Sequence, residues 1–397
     1  DTNGFELDAD RPDGWRYRDW VVNALNSDMP YDRFVELQLA GDELEPGDPS
    51  ALIATGFGRC GPREVVGGNI EADVKRQSEL TEVAGTVSSV FLGLTMGCAR
   101  CHDHKFDPLP ATDYYRLQSF FAAAQFSERP IASKDEETTY QEARKALDAR
   151  LNPLRKELAD LEAPYRKRLK EQKEAALTDA ERAVMAIPEK ERTDVQRKLA
   201  QGAQKALSIH WEELAEAVHA NPSDFAERER LKKAIFDIQQ EAPKLPARAM
   251  ALVDEGTDAP DSFVLFRGDP KNRGPRVEPR PPGVLLASMA KDAFPESIEP
   301  IGSSTGRRLA LARWLTRPDN PLTARVLVNR LWQHHFGRGI VTTPSDFGVR
   351  GEVPSHPELL DWLASELIDR QWRLKPIHRL IVTSAAYRQS SRPASPS

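Results

Sequence analysis

Apolar residues in this chain recur mostly at the three- and four-residue spacings of α-helices. Near the start, Trp15, Trp20, Val21 and Leu25 fall largely on one side of a helix, and Phe34, Leu37 and Ala40 form a second stripe. A third helix is predicted from about 70 to 95. Asp107-Pro108-Leu109-Pro110 then forces an extended or turning path, because proline disfavours helix in the residue before it. Thr112 is placed to cap a helix that carries Tyr115, Leu117, Phe120 and Phe121.

The pattern changes abruptly at about 135. Leu147, Leu151, Leu154, Leu158 and Leu161 alternate steps of four and three, the seam of a coiled coil, and Pro153 is expected to kink or interrupt it. A return arm through Trp211, Leu214, Val218, Leu231, Ile235 and Ile238 predicts an antiparallel helical hairpin. A charge-rich helical insertion of this kind most simply exposes its charges to water.

Strand signals occur only between 243 and 300. There 249–253 and 262–266 flank Glu255-Gly256-Thr257-Asp258 and read as a small β-hairpin. The triplet Arg267-Gly268-Asp269 reads as a turn. From 301 the chain is helical again: 307–315, then 321–336 closed by Gly337, then a helix opened by the capping box Ser355-x-x-Glu358, then one holding Ile377, Leu380 and Ile381. The fold class is mainly α, in four segments: 1–134, 135–242, 243–300 and 301–397.

Composition narrows the function classes. With 397 residues the chain has room for two or three domains. Its 55 Lys+Arg against 61 Asp+Glu leave a net charge of −6 and no strongly basic stretch, so nucleic acid and anionic membrane surfaces are not the expected partners. No run is long and apolar enough for a transmembrane segment. Asp1 with no signal-like stretch after it reads as a fragment or mature piece, which leaves the compartment open. Three cysteines cannot build a disulfide framework and by count alone suggest a reducing compartment.

The run Cys98-Ala99-Arg100-Cys101-His102 points the other way. In c-type haem attachment two thiols three residues apart form thioethers to the two vinyl groups, and the following imidazole binds the iron. A thioredoxin-like redox pair would need a βαβ setting, whereas the surroundings here are helical. A zinc site could draw on Cys60, Cys98, Cys101 and either His102 or His104. Buried inert thiols are the third alternative. If haem is bound, His334 or His335 is a candidate for the second axial position. Their other reading is a favourable helix-dipole interaction in the last turn before Gly337. His104 could act with Asp103 and Asp107 or simply lie in a solvated loop. His210, His219 and His378 read as surface or helix-end histidines, and Met96 would have to fold back to reach iron. No Ser/His/Asp order, phosphate-binding glycine loop or carboxylate pair stands out, so no enzymatic reaction is named.

The run from Phe91 through Cys98, Cys101, His102, His104, Asp107 and Pro108 to Tyr114-Tyr115 resembles the cytochrome-like domain of unknown function found in large secreted proteins of planctomycetes. Pro318-Asp-Asn-Pro321, Asn329-Arg330-Leu-Trp332-Gln-His334-His335-Phe336-Gly337, Pro354-Ser-His356-Pro-Glu358 and Ser384-Ala-Ala-Tyr387-Arg388 are similar to its usual companion, a second planctomycete domain of unknown function. The resemblance implies an extracytoplasmic protein, periplasmic or secreted, with haem c on Cys98 and Cys101 and His102 as axial ligand. It also implies a chain cut at both ends, an unidentified redox partner and a link to polysaccharide-processing proteins. Cys60 is outside the family pattern. The class from the other side is a non-catalytic assembly or binding module whose CxxCH holds a structural zinc or nothing.

Overall fold

The computed structural model describes residues 2, 10–62 and 70–390, so the outermost ends of the first and fourth segments lie outside them. The protein is mainly α, with two small two-stranded antiparallel sheets. It divides into two units, residues 1–131 with 248–397, and residues 132–247. The first, third and fourth segments therefore share one unit, and the charged helical segment makes the other.

In the larger unit the helix Tyr31–Leu44 buries Val35, Leu37, Gln38, Leu39 and Ala40, residues from all round its circumference, so it must run through the interior. One core gathers Val87, Phe91, Leu92, Met96, Tyr114 and Tyr115 from the first segment with Val264, Leu265 and Val277 from the third. Leu311, Trp314 and Leu315 of the fourth complete it. A second core, including Val328, Leu363, Leu367, Trp372 and Ile377, joins the helices Thr323–Phe336, Pro357–Asp369 and Leu374–Thr383. The stripe expected on the first helix, Gly14–Asn26, holds only in part. Trp20 stacks on Phe34 and is buried, whereas Trp15 and Leu25 are 45% and 46% exposed.

The expected hairpin between 249–253 and 262–266 does not form. Strand β2 (Arg248–Asp254) pairs with β1 (Ala124–Pro130), in a register that sets Ala124 opposite Asp254 and Pro130 opposite Arg248. Strand β3 (Ser262–Leu265) pairs instead with β4 (Arg273–Val277). Turn residues next to β2 reveal neighbours in sequence only. Its true partner lies beyond the whole insertion. The expected capping box is also absent: Ser355 bonds Ile340 O through both its backbone N and its hydroxyl, and His356 takes the N-cap position.

Arg308 joins the three segments of this unit. Its side chain is fully buried, and its Nε donates to Asp254 Oδ1 at 2.8 Å. Nη1 and Nη2 donate to the two oxygens of Asp42, each at 2.8 Å, and Nη2 lies 3.1 Å from Glu43 Oε1. The remaining donor capacity goes to Leu39 O and Leu252 O. Ser304 Oγ bridges Glu43 and Asp254, and Leu309 N donates to Glu43 Oε2. Burial pushes the Glu43 carboxyl up. Burial acts on Asp254 in the same sense, but Arg308 with Thr305 and Ser304 holds it below the usual carboxylate range.

The smaller unit is built on one helix, Lys134–Ala176, which runs straight through Pro153 and Pro164. The expected interruption is absent, because a proline removes one backbone bond while the side chains on either side keep packing. Leu147 and Leu151 are buried on this helix and Leu231 on the returning helix Pro222–Gln239; Arg150 meets Glu241 and Glu162 meets Arg228, so the two run antiparallel, as the return arm predicts. Tyr165, Leu214 and Val218 make a small core of their own. Trp211, expected in the seam, is 73% exposed at the first position of its helix.

Arg308→Lys should lower the free energy of unfolding by about 3–5 kcal/mol, since one ammonium cannot reach both oxygens of Asp42 along with Asp254. Chemical denaturation of the two proteins measures this. A second expectation follows from the insertion point. Pro130 and Arg248 are paired, and Ala132 N donates to Ala247 O at 3.2 Å. Replacing 132–247 with a short Gly- and Asn-containing turn should leave the larger unit folded, with a cooperative melt and a lower helical signal in circular dichroism. Loss of cooperativity would show that the insertion is required.

Candidate functional site

The CxxCH run begins on a short 3-10 helix, Met96–Arg100, with Cys101 as its C-cap and His102 just beyond; it lies between Gly93, which ends the helical stretch begun by Ala72–Val87, and the helix Ala111–Gln118. With three residues per turn, side chains at i and i+3 eclipse one another. Met96 and Ala99 therefore point inward, both fully buried, while Cys98 and Cys101 share the outer side and are exposed. His102 follows and is exposed too. Its Nδ1 donates to Asp103 O at 2.6 Å, which leaves Nε2 as the outward nitrogen. A backbone carbonyl on one imidazole nitrogen is the usual means of fixing the other for a metal.

The turn is held from several sides. Tyr115 Oη donates to Arg100 O at 2.7 Å and lies 3.3 Å from Leu265 O, and burial raises its phenol so that it stays a donor. Asp103 Oδ1 accepts from Ala111 N at 2.8 Å, so this carboxylate, rather than Thr112, satisfies the first turn of the next helix. The loop after the motif turns around His104. Its Nδ1 accepts from Asp107 N at 2.9 Å and its Nε2 faces Thr95 Oγ1 at 3.1 Å, so both nitrogens are occupied within the chain. The ring is nearly buried, which makes His104 an organiser of the loop rather than a solvated side chain.

Two distant segments close on the motif. The turn Phe266–Gly268 has Arg267 and Gly268 at φ 58° and 73°, and it is the turn expected for Arg-Gly-Asp. A Cβ on Gly268 would come within 3.1 Å of both Cys101 Sγ and Arg100 Nε, so glycine is what lets this turn approach. On the other side Val349 N donates to Asp107 Oδ1 at 2.6 Å, and a Cβ on Gly348 would overlap the Asp107 carboxylate. Arg350 and Lys105 lie over the ring of Phe106. Phe106, Phe266 and Val349 give the surroundings exposed apolar surface. Arg100 makes one long bond to Gly268 O, and its buried Nε has no partner.

These features fit a covalently held haem in their donor set: two thiols on one side of a turn, one free imidazole nitrogen, and an unspent guanidinium beside them. The zinc set is not gathered. Cys60 Sγ donates to Gly56 O and lines a cavity with Tyr17 and Met250, burial raises its thiol, and His104 is already occupied. Among the described residues no three His, Cys, Asp or Glu side chains are grouped to hold a metal ion.

The fourth segment meets the motif through 346–350. His334 is exposed, and His335 Nε2 lies 2.8 Å from His378 Nδ1, with Tyr387 edge-on at 5.7 Å. Among the described residues no hydrogen bond or ring contact joins either histidine to 98–104. His378, which the sequence reads as a surface or helix-end histidine, is part-buried against His335. Burial and the neighbouring His335 lower its pKa. Asp107 beside Pro108 was a visible signal for the loop, but nothing in the sequence indicated Val349 or Gly268 as its neighbours.

No helix among the described residues is long and apolar enough to cross a membrane. No curated protein and no solved structure matches the chain. Two family models do, each described as a protein of unknown function: DUF1549 over residues 1–126 and DUF1553 over residues 307–397. The chain thus carries a planctomycete-type pair of domains of unknown function, a DUF1549 domain and a DUF1553 domain, separated by the helical insertion and the strand segment.

Proposed function

We propose that this chain is an extracytoplasmic c-type haem protein in which Cys98 and Cys101 hold haem covalently and His102 ligates its iron from one face. One arrangement supports the reading: both thiols are exposed, Cys98 within the 3-10 helix and Cys101 at its C-cap, directly before an imidazole whose Nδ1 is held by a backbone carbonyl. Cys98 and Cys101 would hold the group through thioether links and His102 would ligate its iron. Once bound, the group supplies one-electron chemistry at iron.

The chain's own residues keep that face in place. Met96 and Ala99 anchor the turn, Tyr115 and Gly268 fix its far end, and Asp103 and Asp107 hold the loop that carries His102. Arg100, Lys105 and Arg350 offer positive charge to carboxylates, whether those of the haem or those of an acidic redox partner. The role is electron transfer or haem-based redox chemistry outside the cytoplasm, in the company of polysaccharide-processing proteins as the resemblance implies.

Protein made with a working cytochrome-maturation system should gain the mass of one haem and, when reduced, show the α-band of a covalent haem c. Cys98→Ala and Cys101→Ala should each lose part of that attachment, and the double variant all of it. An unshifted mass with zinc bound would overturn the proposal. His334→Ala and His335→Ala, made singly, should leave the spin state of the iron unchanged by visible and electron-paramagnetic-resonance spectroscopy. A low-spin to high-spin change in either variant would assign that residue to the second axial position instead.

A further inference from the structure

We propose that His335 and His378 form a binding site for a divalent transition metal ion of the kind imidazole favours, zinc, copper or nickel, separate from the CxxCH turn. The two rings come from different helices, and the fold sets their meeting from both ends. Thr323–Phe336 stops at Gly337, whose φ of 78° ends the helix directly after His335 and Phe336. Asp28 Oδ1 accepts from Leu374 N and Lys375 N at 3.1 and 3.0 Å and so fixes the start of Leu374–Thr383. Burial of Ile377 and Ile381 then sets the roll of that helix.

The result is His335 Nε2 facing His378 Nδ1 at 2.8 Å. In the metal-free pair one ring donates and the other accepts. Moving the donor's proton to its outer nitrogen turns both facing atoms into lone-pair donors, which with the ring centroids 5.1 Å apart point head-on at each other. The outer nitrogens make no hydrogen bond among the described residues, so the shift gives up only the bond between the two rings, which the ion replaces. A tetrahedral ion about 2.0–2.1 Å from each nitrogen needs them roughly 3.4 Å apart. Besides opening by about half an ångström, each part-buried ring must turn by roughly 35° so that the two lone pairs converge on the ion. Tyr387 and Phe336, edge-to-face at 5.6 Å, form an aromatic wall at the pair, and Tyr387 stands at 90° to the His335 ring. No third His, Cys, Asp or Glu among the described residues joins the pair, so water fills the remaining positions and the site is an open one.

The test uses the full chain carrying Cys98→Ser, Cys101→Ser and His102→Ala, so that it does not depend on the haem reading. Titrated with Cu2+, this protein should bind one ion with two equatorial imidazole nitrogens visible by pulsed electron paramagnetic resonance, and Zn2+ should compete for it and raise Tm. His378→Asn or His335→Asn should weaken binding about tenfold or more and leave at most one imidazole nitrogen on the copper. His334→Ala should change nothing. One or no imidazole nitrogen in the parent protein would overturn the proposal whether or not the variants fold. So would two nitrogens persisting in His378→Asn. A lower Tm in the His378 variant with no metal bound by the parent would mean that the pair is only a structural hydrogen bond.

Discussion

Everything in the larger unit depends on one buried guanidinium. Arg308 makes hydrogen bonds to carboxylates from a helix more than two hundred residues earlier and from β2, and it is wholly removed from water. Stripping the charge of its hydration is costly, and only close opposite charges with good geometry offset that cost. Three carboxylates, two backbone carbonyls and a bridging serine meet the condition. Few alternative packings could, so the cluster acts as a registration mark. Once Arg308 is seated, β2 has one position, β1 must pair with it, and the helix leading into β1 carries Tyr115 to the carbonyl at the end of the CxxCH turn.

The elements whose signal is local were legible in the sequence. Helix positions followed from apolar spacing, and the place of the CxxCH run between two helices followed from the pattern on either side of it. Features that depend on distant chain were not. The turn signals after β2 suggested a hairpin because the true partner lay on the far side of the insertion. Ser355 and Glu358 matched a capping box, but Ile340 O claimed the serine. Pro153 predicted a break, and side-chain packing on both sides of it carried the helix through. His378 showed no hint of His335, since nothing in a pattern of period 3.6 reports which helix faces which.

The candidate site shares this mixture. The motif is short and self-contained, yet its surroundings come from Tyr115, from Gly268 and from the loop holding Gly348 and Val349. Two of these approaches are made at glycine: a Cβ at 348 would overlap the Asp107 carboxylate, and one at 268, where φ is 73°, would press on Cys101 and Arg100. The DUF1553 region is therefore part of the wall around a motif that lies in the DUF1549 region. Val349 N on Asp107, Phe347 N on Gly93 O and Arg350 over the Phe106 ring tie the 346–350 segment to the chain on either side of the motif.

Placing the insertion inside the β1–β2 pairing has a consequence for the order of folding. Ala124 and Asp254 can meet only after the intervening chain has been synthesised, and closing so long a loop in an unfolded chain costs on the order of 4 kcal/mol in entropy. The smaller unit, which has its own core, removes most of that cost by folding first, because its two ends emerge hydrogen-bonded at Ala132 and Ala247. A helical hairpin that contributes no residue to the motif thereby becomes the clasp that delivers β2 to β1. Its stability governs how long the unpaired edge of β1 stays open to other chains during synthesis.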